Sequence, residues 1–275
     1  MHQTPLFPEW LPGDEVPDAE QLEELRAFDE LAAVTGRYRS SPAFGRLLDF
    51  VIRMRELSPY NAALLYLQKP EARHVRSAAE WHALGRSVHP GAAPALLLHP
   101  GGPVRFVFDV AETEGLRADP PPDPPPVSPQ ELLRATVEHV RRLGVAVTGP
   151  LFGPEPAGRL RRGEEGAAFV LTLEEGDAGA QYAVLVYELA RYLLGHLGPC
   201  EACSGEARPP ADDISGRFEA GAVAAVVCGR AGVPTEDGAF VRGYLQNFAE
   251  VPEISLDRIL AVAGRIERLG RPARG

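Results

Sequence analysis

The chain has 275 residues, 45% of them hydrophobic and 24% charged, which suits one large or two modest globular domains and is too apolar for a largely disordered polypeptide. Its formal net charge of −10 argues against uniform coating of nucleic acid or anionic membrane, and no apolar run reaches the roughly 18 to 20 residues that a membrane-spanning helix needs. The opening MHQTPLFPEWLPGDEV lacks the basic-then-apolar order of a secretory leader, and Cys200, Cys203 and Cys228 are too few for a secreted disulfide framework, so a cytoplasmic protein with no membrane partner is expected.

Residues 1–20 are proline-rich and acidic and read as a flexible tail. From Asp18 the chain takes helical spacing, with Leu22, Leu25, Phe28 and Leu31 on one side. A second helical stretch, Phe44 to Leu57, stops at Ser58-Pro59, where Ser58 caps the next helix with Pro59 at its first position. In SAAEWHAL, Ser77 and Glu80 have the spacing of a capping box. The period then changes: ALLLHP and VRFVFDV read as a hairpin with its loop at 100–103. The segment 118–129, ADPPPDPPPVSP, is too rich in proline for helix or central strand and reads as a stiff linker.

Beyond the linker, Ser128-Pro129 begins a helix running to about Leu143, with Glu131 near its start and Arg141 and Arg142 at its end, as the helix dipole favours. VAVTG, GRLRRG and AAFVLTLE are strand candidates, and helices are expected over about 179–197, 216–231, 237–247 and 255–269, the last capped by Ser255. The layout is α+β: an N-terminal helical domain with a small antiparallel sheet over 21–117, then a small sheet and several helices over 130–275.

Charge is spread unevenly. Residues 1–40 carry −6 and residues 116–275 carry −5, whereas 41–115 carry +1 and hold four of the seven histidines. Within 50–90, Arg53, Arg55, Lys69, Arg73, Arg76 and Arg86 outweigh Glu56, Glu71 and Glu80, with Tyr60, Tyr66 and Trp81 interleaved. Single-strand binders combine a positive track for phosphates with aromatic faces on which bases stack. Asn61 is a further candidate, for a base edge or sugar. On the plain structural reading, Tyr66 and Trp81 at helical spacing are core residues and scattered arginines are a solvated face.

The other informative stretch is AQYAVLVYELARYLLGHLG, with Tyr187-Glu188-Leu189-Ala190-Arg191 in mid-helix. The frame xELAx followed by LLGHLG resembles the zinc helix of the ImmA/IrrE-like metallopeptidases, which are of the zincin type. In that family His-Glu-Leu-Ala-His places two histidines at i and i+4 on zinc, and the glutamate is the general base. RFEAGAVAAVVCGRAGV resembles the following family helix, and Glu219 holds the position of the third ligand. Residues 41–115, with SPYNA, AAEW and FVFDV as anchors, resemble the single-stranded-DNA-binding domain joined to such peptidases in ArdC-type antirestriction proteins. Together with ISLDRILAVAGRIE near the C-terminus, the resemblance covers roughly 41–115 and 180–270.

This chain departs from the family at both metal-binding histidines, where Tyr187 and Arg191 stand instead. Arginine keeps its proton in proteins and brings a fixed positive charge to the place of the cation. Glu188 is then a remnant general base, and Arg191 is expected to pair with Glu188 or Glu219 in place of zinc. A separate metal set of His196, Cys200, Cys203 and Cys228 is conceivable, but packing or helix capping accounts for His196, Cys228 lies in an apolar helix, and the other two read as loop thiols. No cofactor is expected. The function implied is a single-stranded nucleic-acid binder with an inert peptidase-like domain, in defence or counter-defence against foreign DNA. The alternatives are a protein-interaction module using the inert cleft, and an active peptidase with non-standard ligands.

Overall fold

A computed structural model of the protein describes residues 38–98, 104–115, 127–142, 145–148, 160–162, 169–173, 176–197 and 213–271. The acidic tail, the helix expected after Asp18, the loop at 100–103, nearly all of the proline-rich 118–129 segment, Cys200 and Cys203 lie outside the described residues. The described residues fall into two compact units: one holds 39–48 and 127–271, the other 38, 49–98 and 104–115. Helix α1 (Ser41–Arg53) is divided between them after Leu48.

In the unit built on 49–115, helix α2 (Pro59–Gln68) starts as expected, with Ser58 Oγ accepting the Asn61 N–H at 3.2 Å. Strand β1 (Val75–Arg76) leads into the short helix α3 (Ala78–Ala83), whose Ser77–Glu80 capping box forms in both directions. Strands β2 (Arg86–Val88), β3 (Ala95–Leu97), β4 (Arg105–Asp109) and β5 (Thr113–Gly115) make two small antiparallel sheets, ordered β1-β4-β3 and β2-β5. The expected hairpin is thus β3–β4, with Ala95 opposite Val107 and Leu97 opposite Arg105.

Asp109 ties this unit together. Its carboxylate accepts the Arg73 and His74 N–H groups at 2.7 and 3.0 Å and the Ala111 N–H at 3.1 Å. Fully buried Trp81 donates from Nε1 to the Phe108 carbonyl at 2.9 Å. A buried carboxylate is tolerated here because backbone donors surround it.

In the other unit, helix α4 (Pro129–Arg142) precedes strands β6 (Val145–Thr148), β7 (Leu160–Arg162) and β8 (Phe169–Thr172). Their order is β6-β8-β7, with β6 parallel and β7 antiparallel to β8. Helices α5 (Ala178–Leu193), α6 (Ile214–Ala231), α7 (Glu236–Asn247) and α8 (Leu256–Leu269) follow. Helix α6 is buried nearly all round, which is why its Ala/Gly/Val run shows no polar stripe. A Cβ at Gly221 would stand 2.9 Å from Val241 Cγ2 and 3.2 Å from the Asp237 carbonyl, so α6 and α7 cross where only glycine fits. Phe218 anchors the same packing between Phe44 and Tyr244, at centroid distances of 5.5 and 5.1 Å. Ser255 occupies the N-cap position of α8, but its side chain makes no capping bond. Its N–H goes instead to Glu219.

The architecture is α+β, as the alternation of periods predicts. No described helix is long and apolar enough to cross a membrane.

Candidate functional site

Helix α5 sets the geometry of the first site. Asp177 starts it by accepting the Gly179 and Ala180 N–H groups at 2.8 and 3.0 Å. Gly195, at φ +83°, ends it in a Schellman turn: the Gly195 N–H reaches the Tyr192 carbonyl and the His196 N–H the Arg191 carbonyl. The GHLG step is therefore a helix stop that turns the chain at His196.

Glu188 and Arg191 stand three residues apart on one helical face and bond directly. Arg191 Nη1 donates to both carboxylate oxygens of Glu188, at 2.9 and 2.8 Å, and the Leu160 N–H of β7 adds 2.8 Å to Oε2. The pair is buried, at 8% and 4% exposure, so it is a desolvated, charge-assisted contact rather than a surface bridge. The Nε of Arg191 has no hydrogen-bond partner among the described residues. Half-buried Tyr187 precedes the pair; burial, with the Asp237 and Glu188 carboxylates adding, holds its phenol above the ordinary value against Arg191 and Arg217. The hydroxyl stays protonated at neutral pH.

Glu219 does not join this pair. Its Oε1 accepts the Ser255 N–H at 2.7 Å, and its Oε2 lies 3.2 Å from His196 Nε2, both side chains being fully buried. That is ion-pair distance, with the imidazole not aligned for a hydrogen bond. Arg191 thus takes Glu188, and the carboxylate of Glu219 is met by His196. The sequence reads His196 as packing or capping, or as one of a conceivable metal set; its approach to Glu219 is what sequence reasoning missed. The Gly195 stop that swings it round was its one visible signal.

The zinc that the resemblance implies does not fit these residues. Arg191 has no lone pair to give, Tyr187 holds its proton, and both oxygens of Glu188 engage a guanidinium. Among the described residues no group of three or more His, Cys, Asp or Glu comes together. Of the other metal set, Cys200 and Cys203 lie outside the described residues, and His196 faces Glu219. Cys228 is buried in α6, its thiol pushed up to about 12 by burial with Asp237 adding.

The residues expected on nucleic acid divide into two groups. Four are committed within the fold. Asn61 clamps Leu98 through both backbone groups at 2.9 Å. Lys69 pairs with Glu112 and reaches the Ala93 carbonyl. Buried Arg86 bonds Thr113 Oγ1 and carbonyl at 2.8 and 2.9 Å, beneath the ring of Trp81. Trp81 itself has no exposed surface to offer a base. The donors of Asn61, Lys69, Trp81 and Arg86 thus hold the hairpin, the β2–β5 sheet and the core.

Of the other four, Arg53, Arg55 and Arg73 gather, and Arg76 stands beside them. Arg53, Met54, Arg55, Glu56, Arg73 and His74 line one cavity of about 210 Å³. Arg53 is the last residue of α1, where it donates to the Ala72 carbonyl at 3.3 Å and lies over the Phe50 ring. Arg73 and His74 are fixed through their backbone by Asp109, which leaves their side chains to the cavity. Glu56, the one acid there, accepts the Val75 N–H and stands 4.0 Å from Arg76. What the arrangement can do chemically is hold an oxyanion of phosphate size.

No protein-family profile matches the sequence, and no curated protein is similar to it. Among solved structures, the chain is similar to the Mn(II)-bound crystal structure of the antirestriction ArdC protein from plasmid R388. The identity is 14% and the TM-score 0.38, over 82% of this chain and 94% of that one. The metal-free structure of the same protein gives 14% and 0.36, over 76% and 82%. At that identity and TM-score, the reading of the site rests on its own side chains.

Proposed function

We propose that this chain is a single-stranded-nucleic-acid-binding protein whose peptidase-like unit has no hydrolytic centre. The observation that carries it is the gathering of Arg53, Arg55, Arg73 and His74 around one cavity, with Arg76 at its edge and a single carboxylate among them. Guanidinium groups facing solvent at a concave surface are a phosphate track, and they serve it without any metal. The inert reading of the second unit is supported by the Glu188–Arg191 pair, which gives the one candidate base a cation of its own. The oxygens of Glu188 are then held by Arg191 and the Leu160 N–H, in a place where the family's base faces a metal-bound water. The motif resemblance of both halves to ArdC-type proteins supports a role in defence or counter-defence against foreign DNA.

The test is anisotropy with a labelled single-stranded oligonucleotide. Three phosphate contacts predict about a 20-fold loss of affinity between about 50 and 200 mM salt. No binding at the lower salt removes the reading. In parallel, the purified protein should carry well under one zinc per chain and leave casein intact with or without chelator; chelator-sensitive cleavage would remove the inert half alone.

A further inference from the structure

The sheet β1-β4-β3 has two unlike faces. Val75, Ala95, Leu97, Val107 and Asp109 are buried on one side. On the other, β4 carries Phe106 and Phe108, with Leu96 opposite Phe106 and Arg76 opposite Phe108 in register. Directly opposed residues point to the same face, so these four side chains form one surface patch. Phe106 is 54% exposed, on the central strand of a sheet whose inner face is packed. A large apolar ring left open there is not explained by the core.

Arg76 connects this patch to the basic cavity. It follows Arg73 and His74 along the chain, and its guanidinium approaches Glu56 of the cavity wall only to 4.0 Å. Its side chain keeps 28% of its surface exposed, so the guanidinium lies within reach of a ligand. Asp109 adds no opposing charge to the face, because it points inward and is consumed by backbone donors. Two rings stand two strand steps apart, roughly 6.6 Å, beside a row of cations.

We propose that Phe106 and Phe108 are a stacking platform for two successive bases of a single strand whose phosphates run onto Arg76, Arg73 and Arg53. This rests on the nucleic-acid reading above and names the residues that hold the bases, a role for which the fully buried Trp81 offers no face. Ring faces recognise any base, and only in a single strand are those faces available. Duplex DNA of the same length should gain nothing from the platform.

The experiment compares wild type, Phe106→Ala and Phe106→Trp by anisotropy with single- and double-stranded oligonucleotides, each variant first checked for an unchanged melting temperature. Loss of one stack predicts a fall of about 5- to 150-fold in single-strand affinity for Phe106→Ala, with duplex binding unchanged. Phe106→Trp should bind as wild type does, and its added indole emission should be quenched by the strand. The platform is overturned if Phe106→Ala binds single strands within twofold of wild type, if both substrates weaken equally, or if the Phe106→Trp emission is unmoved while the strand binds. Wild type binding no oligonucleotide at all would instead sink the nucleic-acid reading itself.

Discussion

The two charge clusters of this protein face opposite problems. Around helix α5, Glu188, Arg191, Glu219 and His196 are buried, with Glu188 against Arg191 and Glu219 against the His196 ring and the Ser255 N–H. Around the cavity, Arg53, Arg55 and Arg73 are exposed and outnumber the carboxylate among them. An inward cluster must neutralise itself, because an unpaired buried charge is far costlier than any gain from keeping it. An outward cluster can stay unbalanced, since water and salt screen it until a ligand arrives. The same residue types therefore report stability in one place and binding in the other, and the separation can be broken by substitution.

The largest effect is expected inside. Arg191→Met takes the cation away from the buried Glu188 carboxylate, and should destabilise the protein by about 3–5 kcal/mol in urea denaturation. Adding Glu188→Gln to it removes the orphan charge yet keeps an acceptor for Leu160, and should recover most of the loss. If Arg191→Met alone were silent, the pair would not be holding the unit together. Trp81→Ala in the other unit should be of similar size, about 3–5 kcal/mol, because the indole is core and hydrogen-bonded rather than a base-stacking face.

Trp81 also marks where the sequence stops being legible. Helix limits were readable from Ser58, Ser77, Ser128 and the apolar period, and the four C-terminal helices fall within a few residues of their expected spans. That Arg191 meets a carboxylate was readable too, with Glu188 and Glu219 both open; the structure has Glu188, which shares its helix face at i and i+3. What spacing along the chain could not tell is which cation faces in. Lys69 and Arg86 carry the same charge as Arg53 and Arg73, yet each of the first two meets a partner more than 25 residues away, Glu112 and Thr113. Such contacts are properties of the folded sheet. Phe106 and Phe108 were readable as strand, but the face they occupy depended on the register of β4 with β1 and β3.

A middle-sized effect is expected at the cavity. Arg73→Glu should weaken single-strand binding about 10-fold at low salt and flatten the salt dependence by close to one phosphate contact, while folding stability moves by no more than about 0.5 kcal/mol. Lys69→Met makes the complementary case: its partner Glu112 sits within the fold, so stability should fall with little change in the salt slope. Equal losses of affinity in the two variants would erase the distinction between committed and open cations.

The smallest effect lies between these extremes, at the half-buried carboxylate of Asp237. Burial raises Asp237 above its ordinary value of 3.8; Glu188 and Glu236 push the same way, and Arg217 opposes them. A carboxyl raised on folding binds its proton more tightly in the native state. Its contribution to stability is complete below the ordinary value and is lost as pH rises through the raised one. Asp237→Asn should therefore make the protein more stable than wild type at pH 7, by under about 1 kcal/mol given its partial exposure, with the advantage shrinking as pH falls toward 3.8. Denaturation curves for the two proteins across that range measure the difference directly. A constant offset at every pH would mean that the amide acts through packing, and that Glu188, neutralised by Arg191, casts no field as far as α7.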